Sequence, residues 1–310
     1  MIHPSPSNLD LPLAAGLFSV FLCVIFGANA VAIKVAFTGL GVFTTAAIRF
    51  GLAAAAIFLW ARWTQRSILL KKGQALQLLI FSALFTVQLS CFYLGLSKSN
   101  ASRGTLLVNL LPFFILFLAH FFIPGDRISK RKLLGILLGF SGLACMFLDK
   151  SALHSGFLIG DSIILLATLV WSCATVYLKR VIGGFDPFQV VMYSALFALP
   201  VLALEAWFFD PAPVSRLDVP VVGAVLYQSL VSASFGFVAW NTMLKKYGAV
   251  ALHSFVFIMP IAGVLMGGLI LGEPVTPKIL LALAFIVSGI ITVHWNPRTE
   301  APAYPIRRSL

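Results

Sequence analysis

The chain has 310 residues, a formal net charge of +12, 60% hydrophobic residues and only 10% charged residues, with a mean hydropathy of +1.00. Soluble domains carry roughly 25% charged residues, so a single water-soluble core is excluded and a membrane protein is indicated. The basic residues sit in short linkers between apolar runs, a pattern that reads as membrane topology and excludes a nucleic-acid patch.

Residues 1–10 carry no Lys or Arg, which makes a poor cleavable signal and predicts that the first apolar run is retained. A helix needs about 20 mostly apolar residues to cross hydrocarbon. Ten runs meet this reading: 12–36, 43–62, 74–97, 102–123, 132–149, 157–179, 188–209, 220–244, 250–272 and 277–295. They are too long for strands and lack alternation. The linkers are short and turn-rich, such as Gly183-Gly184-Phe185-Asp186-Pro187. The first run closes on Phe26-Gly27-Ala28-Asn29 and, five residues further, Lys34; the sixth closes on Trp171, small residues, Tyr177 and Lys179. Pro112 in the fourth run aligns with Pro260 in the ninth. The Gly125-Asp126-Arg127-Ile128-Ser129 turn aligns with Gly272-Glu273-Pro274-Val275-Thr276, and Ser141-Gly142 with Ser288-Gly289. The nearly constant offset predicts an internal duplication, with halves at 12–149 and 157–295. Five helices per half is an odd number, so the second half is expected upside down relative to the first, as in many secondary transporters. The expected fold is an all-α membrane protein of ten transmembrane helices in two inverted five-helix repeats.

Lysines and arginines concentrate in alternate linkers: Arg62, Arg66, Lys71 and Lys72; Arg127 to Lys132; Lys179 and Arg180; Lys245 and Lys246; and the C-terminal Arg298, Arg307 and Arg308. The positive-inside rule then places both termini in the cytoplasm. Ser129 and Thr276 read as helix N-caps, with Pro277 at the first helical position, and the Gly-Asp and Gly-Glu pairs as turn and cap chemistry.

These features together resemble the EamA-type transporters of the drug/metabolite transporter superfamily. The resemblance rests on the ten runs in two halves, the Trp171…Lys179 ending, the Ala46-Ala47-Ile48-Arg49-Phe50 start of the second helix, and the Gly-Asp/Glu turns followed by a cap. It covers about residues 12–295. Phe26 stands where the family often has Trp, and Asp126 where it usually has Glu. The resemblance implies export of small metabolites, often amino acids, across a bacterial inner membrane by alternating access through a central cavity. The aromatic and neutral amino acid exporters are the nearest branch.

Polar groups inside membrane helices usually face the protein interior or a water-filled cavity. Arg49 is read either as a fork donor for a substrate carboxylate or as an arginine snorkelling to the surface. Lys34 and Lys179 suit helix C-termini at opposite membrane faces, with a gate as the functional alternative. Asn29, Gln88, Tyr93, Asn109, Trp171, Tyr177, Gln228, Trp240 and Asn241 are candidates to line the substrate path. Pro112 and Pro260 are expected mid-helix, as a paired hinge or a static kink. Gly135 and Gly139, and Gly263 and Gly267, have the small-x-x-x-small spacing of helix packing. The four cysteines, Cys23, Cys91, Cys145 and Cys173, all lie in apolar runs without metal-ligand spacing, so no metal site is expected. No Gly-x-x-x-x-Gly-Lys-Ser/Thr loop is present, so neither a nucleotide cofactor nor ATP hydrolysis is expected. The acidic residues lie at or near helix ends or loops; Glu205 is the least unsuitable carboxylate for a proton carrier, so obligate proton coupling is not expected.

The sequence therefore predicts an exporter of small, amino acid-like zwitterions, not an enzyme, whose partners are its substrate and the lipid bilayer. A monomer is compatible with it. The rivals are a phosphate-ester or nucleotide-sugar antiporter, which would want several converging cations, and a multidrug exporter, which would want an unpaired acid. An intramembrane enzyme on lipid-linked substrates would need a paired acid and base.

Overall fold

The computed structural model describes residues 12–66, 68–70, 73–122, 129–148, 156–181, 185–247, 252 and 255–294. The 125–128 part of the first Gly-Asp turn lies outside the described residues, as do the side chains of Lys179 and Asn241.

The described residues are mainly helical, with α1 (Leu13–Gly27), α2 (Asn29–Ala36), α3 (Val42–Trp63), α4 (Gln74–Ser97), α5 (Ala101–Val108), α6 (Leu111–Phe122) and α7 (Lys130–Phe147) in the first part of the chain. The second part holds α8 (Phe157–Val181), α9 (Pro187–Phe209), α10 (Val219–Leu226), a π-helical segment (Tyr227–Gly236), α11 (Phe237–Tyr247), α12 (Ile258–Leu271) and α13 (Pro277–His294). The described residues form no sheet, only an isolated antiparallel bridge between Leu40 and Val214. This follows from the solvent: hydrocarbon offers no hydrogen bonds, so each run must satisfy its own backbone.

Among the described residues, eight helices are long and apolar enough to cross a membrane: 13–36, 42–63, 74–97, 101–122, 157–178, 188–209, 219–240 and 277–294. The chain is a multi-pass membrane protein. Two of the ten expected crossings fall short of that measure. α7 opens with Lys130, Arg131 and Lys132, and α12 has only 14 residues. The first span continues through Ala28, whose amide bonds Val24 and whose carbonyl takes Ala32 N–H, both at 3.0 Å.

Pro112 and Pro260 do not sit inside an unbroken helix: Pro112 follows the break between α5 and α6 in the middle of the 101–122 span. Pro112 is the second residue of α6 and Pro260 the third of α12. A missing N–H is tolerated in a first turn, where it would have no partner. Around Pro112 the chain tightens, with Leu110 N–H on Leu107 O (3.2 Å) and Phe113 N–H on Leu110 O (3.0 Å). The proline inside a long helix is Pro200, in α9.

The packing pairs are exchanged between the two parts. α3 packs on α9, α5 on α12 and α7 on α13; α4 on α8 is matched by α2 on α10 and α1 on the π-helical segment. The tightest of these depend on glycine. A Cβ on Gly135 would sit 2.8 Å from Gly289 O, and one on Gly289 would sit 2.7 Å from Gly135 O, so α7 and α13 touch backbone to backbone. At Gly263 a Cβ would collide with Thr105 on α5, as the small-residue spacing predicts.

Helix ends gather at two faces. At one, Lys34 of α2 reaches the end of α4, Gly41 N–H bonds Pro213 O (3.0 Å), and Lys278 Nζ bonds Leu148 O (2.8 Å). At the other, Gln189 and Tyr193 of α9 bond Leu69 O and Ile68 O (2.8 and 3.1 Å), and Arg66 meets Asp186 (3.8 Å). α2 thus ends at the face where α8 begins.

Candidate functional site

Acids and hydroxyls are largely consumed by helix ends. Asp186 caps α9 in a capping box with Gln189, Asp218 caps α10, Asn100 caps α5 and Ser129 caps α7. Thr276 Oγ1 accepts Ile279 N–H at 3.3 Å. Two further acids cap helices they do not belong to. Asp210 Oδ2 accepts Thr44 N–H (2.7 Å) and Thr44 Oγ1–H (2.8 Å) at the start of α3. Glu273 accepts Ala101 N–H (2.6 Å), Ser102 N–H (2.8 Å) and Ser102 Oγ–H (2.6 Å) at the start of α5. An anion at a helix N-terminus satisfies orphan amides and complements the dipole. The Gly272-Glu273 turn is thus cap chemistry, directed at a neighbouring helix. Glu205 of α9 accepts Ser90 Oγ–H at 2.8 Å.

With those groups assigned, a polar cluster stands out between the two parts of the chain. Arg49 of α3 is buried, 6% exposed. Its Nη1 donates to Tyr93 Oη of α4 at 3.1 Å. The Tyr93 hydroxyl donates to Gln228 Oε1 at 3.2 Å, and Gln228 Nε2 donates to Ala32 O at 3.1 Å. Tyr93 and Gln228 are fully buried or nearly so. The guanidinium lies 4.9 Å over the Phe50 ring. Arg49 Nε is buried without a partner, and no carboxylate pairs with Arg49 among the described residues. Gln228 is the second residue of the π-helical segment, which Tyr227 Oη also pins to the first span through Ile25 O (2.7 Å). Such segments are rare and concentrate at functional positions. Arg49 therefore does not snorkel: it is held inward with an unused donor.

The other sequence candidates divide. Asn29 Oδ1 is buried without a partner. Gln88 is buried with no side-chain bond among the described residues. Trp171 is half-buried on α8. Asn109 donates to Thr105 O of its own turn (2.8 Å). Tyr177 packs in a separate cluster with Leu78, Phe81, Ala174 and Val190. Trp240 stands edge-on to Phe26 at 6.0 Å, against α1. Lys34 Nζ donates to Ser99 O (2.8 Å) and Leu96 O (3.3 Å) and borders an open cavity of about 540 Å³.

The profile of the EamA-like transporter family matches residues 13–148 and matches again at 158–295. The chain belongs to the EamA-like transporter family. Its homologues and its family are transporters, not enzymes. It is 24% identical over 282 residues to the uncharacterized transporter YoaV of Bacillus subtilis, covering 89% of this chain and 94% of that one. It is 24% identical to a probable amino-acid metabolite efflux pump of Escherichia coli (89% and 93% covered), and 25% identical to the protein of the same description from Salmonella typhimurium (89% and 93%). A solved crystal structure superposes with a TM-score of 0.67 at 18% identity, over 90% of this chain and 96% of the other; at that identity it shows the fold.

This EamA-like chain also contains a polar cluster that sequence reasoning missed. Arg103 of α5, 1% exposed, and Asp161 of α8, fully buried, form an ion pair. Arg103 Nε donates to Asp161 Oδ2 at 2.7 Å, Nη2 donates to the same oxygen and to Met146 O (2.9 Å), and Ser99 Oγ donates to Asp161 Oδ1 (2.6 Å). On sequence, Asp161 is one of the acids near a helix end and Arg103 a basic residue near the start of the fourth run. Their opposite charges, each within the first turns of helices starting at one face, neutralise one another and draw both inside. That matched depth was the available signal. Thr105, whose buried hydroxyl has no acceptor, gave none.

Proposed function

We propose that the chain exports small zwitterionic metabolites, above all amino acids with neutral or aromatic side chains, by alternating access. In this reading ten helices cross a bacterial inner membrane as two inverted repeats, 12–149 and 157–295, with both termini cytoplasmic. The exchanged packing pairs and the antiparallel α2 and α8 support the inversion. α12 is the short crossing and α7 the one with a charged entry. The basic linkers support the orientation.

The observation that carries the substrate class is Arg49. An arginine inside a membrane helix costs roughly 2.5–3.5 kcal/mol on insertion scales. Here that cost is borne without a carboxylate partner. A guanidinium with a free Nε–H suits the planar carboxylate of a substrate. Asn29 and Gln88 offer polar contacts, and Trp171 an apolar surface. The names of the two enterobacterial relatives agree with this class. Among the described residues the buried acids Asp161 and Asp210 are committed to Arg103 and to the start of α3, which supports transport down the substrate gradient.

Counterflow of labelled amino acids in proteoliposomes tests the reading, comparing the natural chain with Arg49→Ala. Transport by the natural chain and its loss in the folded variant are expected. Equal transport by both would remove the carboxylate role. An imposed pH gradient that alone drives accumulation would refute the uncoupled mode.

A further inference from the structure

We infer that the open cavity of about 540 Å³ beside Lys34 is a second binding station for the zwitterion, separated from Arg49 by the Phe37 ring; this rests on the transport reading above. The volume lies in the range of small-molecule sites. Its walls come from the ends of α2, α4 and α9 and the start of α3, and include Lys34, Asp210, Phe37 and Phe209.

The two charges in the wall are fixed by the fold and only partly used. Lys34 has three protons. Two go to Leu96 O and Ser99 O, leaving one for a carboxylate. Asp210 spends Oδ2 on Thr44, while Oδ1 takes only a long 3.4 Å contact from Phe43 N–H. Lone pairs on Oδ1 remain for an ammonium. Because each charge also holds a helix end, neither needs ordering on binding, which lowers the cost of capture. A pair of opposite charges discriminates by repulsion as well. A simple anion meets Asp210 and a simple cation meets Lys34; only a zwitterion matches both.

Phe37 joins this station to the buried one. It lines the cavity, and its ring stands edge-on to Tyr93 at 6.1 Å and 65°. Tyr93 in turn receives Arg49. In this proposal a substrate passing between Arg49 and the cavity moves past the Phe37 ring.

Thiol protection in proteoliposomes tests the station. Cys23, Cys91, Cys145 and Cys173 are replaced by serine, and Ser97→Cys reports from the cavity wall, with Ser215→Cys as a second reporter. The rate of labelling by a membrane-impermeant maleimide is read with L-phenylalanine, 3-phenylpropionate or phenethylamine present. L-Phenylalanine is expected to slow labelling several-fold, and to do so equally in the Arg49→Ala background. Lys34→Met is expected to abolish protection. Asp210→Asn, which keeps its acceptor oxygen for the cap, is expected to admit 3-phenylpropionate. Equal protection by all three compounds would overturn the zwitterion station in favour of a plain apolar vestibule. Absent protection alongside intact L-phenylalanine counterflow overturns the station and leaves the function standing. Absent protection together with absent counterflow of every amino acid overturns both.

Discussion

Two arginines are buried among the described residues, and their surroundings are opposite. Arg103 has a carboxylate, a backbone carbonyl and a tight helical neighbourhood. Arg49 has one phenol, one aromatic face and an Nε with nothing to bond. Both bear the desolvation cost of a cation. For Arg103 the cost is offset inside the protein, so the residue reads as architecture tying α5 to α8. For Arg49 it is not, and the carboxylate of the proposed substrate would fill that gap. On that proposal, burial alone does not mark a functional arginine in a membrane; incomplete neutralisation does.

The comparison breaks most sharply at Asp161. Asp161→Ala leaves Arg103 buried and uncompensated, and removing one partner of such a pair costs about 3–5 kcal/mol. Thermal unfolding in detergent micelles should show a large drop in midpoint, with poor recovery of folded protein. Replacing both partners, Arg103→Met with Asp161→Leu, should restore most of the stability, because a well-packed apolar pair often matches a buried ion pair. If the double variant transports normally, Arg103 is structural. If it folds but does not transport, the division between the two arginines fails.

Arg49 should show the reverse pattern. Arg49→Ala removes a charge with no internal partner, so folding should hold or improve. A charged hydrogen bond to substrate is worth roughly 1.5–3 kcal/mol, which corresponds to about a 10- to 150-fold loss in transport efficiency. Arg49→Lys keeps the charge but loses the fork, and should fall between the two. Counterflow rates set against unfolding midpoints separate this outcome from simple misfolding.

The fold was legible because hydrocarbon permits few solutions. Eight of the ten runs read from hydropathy correspond, among the described residues, to helices long and apolar enough to cross a membrane, and the Ser129 and Thr276 caps and glycine spacings appear where expected. α12 and α7 fall short of that measure for physical reasons. A helix that begins after a tight turn, like 258–271, is shorter than its apolar run, and one that begins in a basic linker dilutes its own hydropathy. The site was legible only in part. Arg49, Tyr93 and Gln228 were each visible as polar residues in apolar runs, but their union needs α3, α4 and the π-helical segment, whose sequence separation hides it. Tyr177 and Asn109 look equally polar, yet Tyr177 packs in a different cluster and Asn109 is satisfied by its own helix. Asp161 was hidden by its place near a helix start, where a carboxylate ordinarily means a cap. Sequence shows that a polar group is in the membrane; only packing shows whether it is already satisfied.

The smallest effect is expected at Tyr93, and it sharpens the comparison most finely. The phenol accepts from Arg49 and donates to Gln228, so it holds the guanidinium at a fixed tilt against the second part of the chain. Tyr93→Phe keeps the ring and its edge contacts to Phe37 and Phe92 (both 6.1 Å), and removes only the hydroxyl. One neutral hydrogen bond is worth about 0.5–1.5 kcal/mol, or roughly a 2- to 13-fold rise in KM for export. The unfolding midpoint should move little. An unchanged KM would mean that Arg49 needs no positioning. A large loss of stability would mean that the Arg49 cluster is an architectural bond like Arg103–Asp161, and the distinction between the two arginines would collapse.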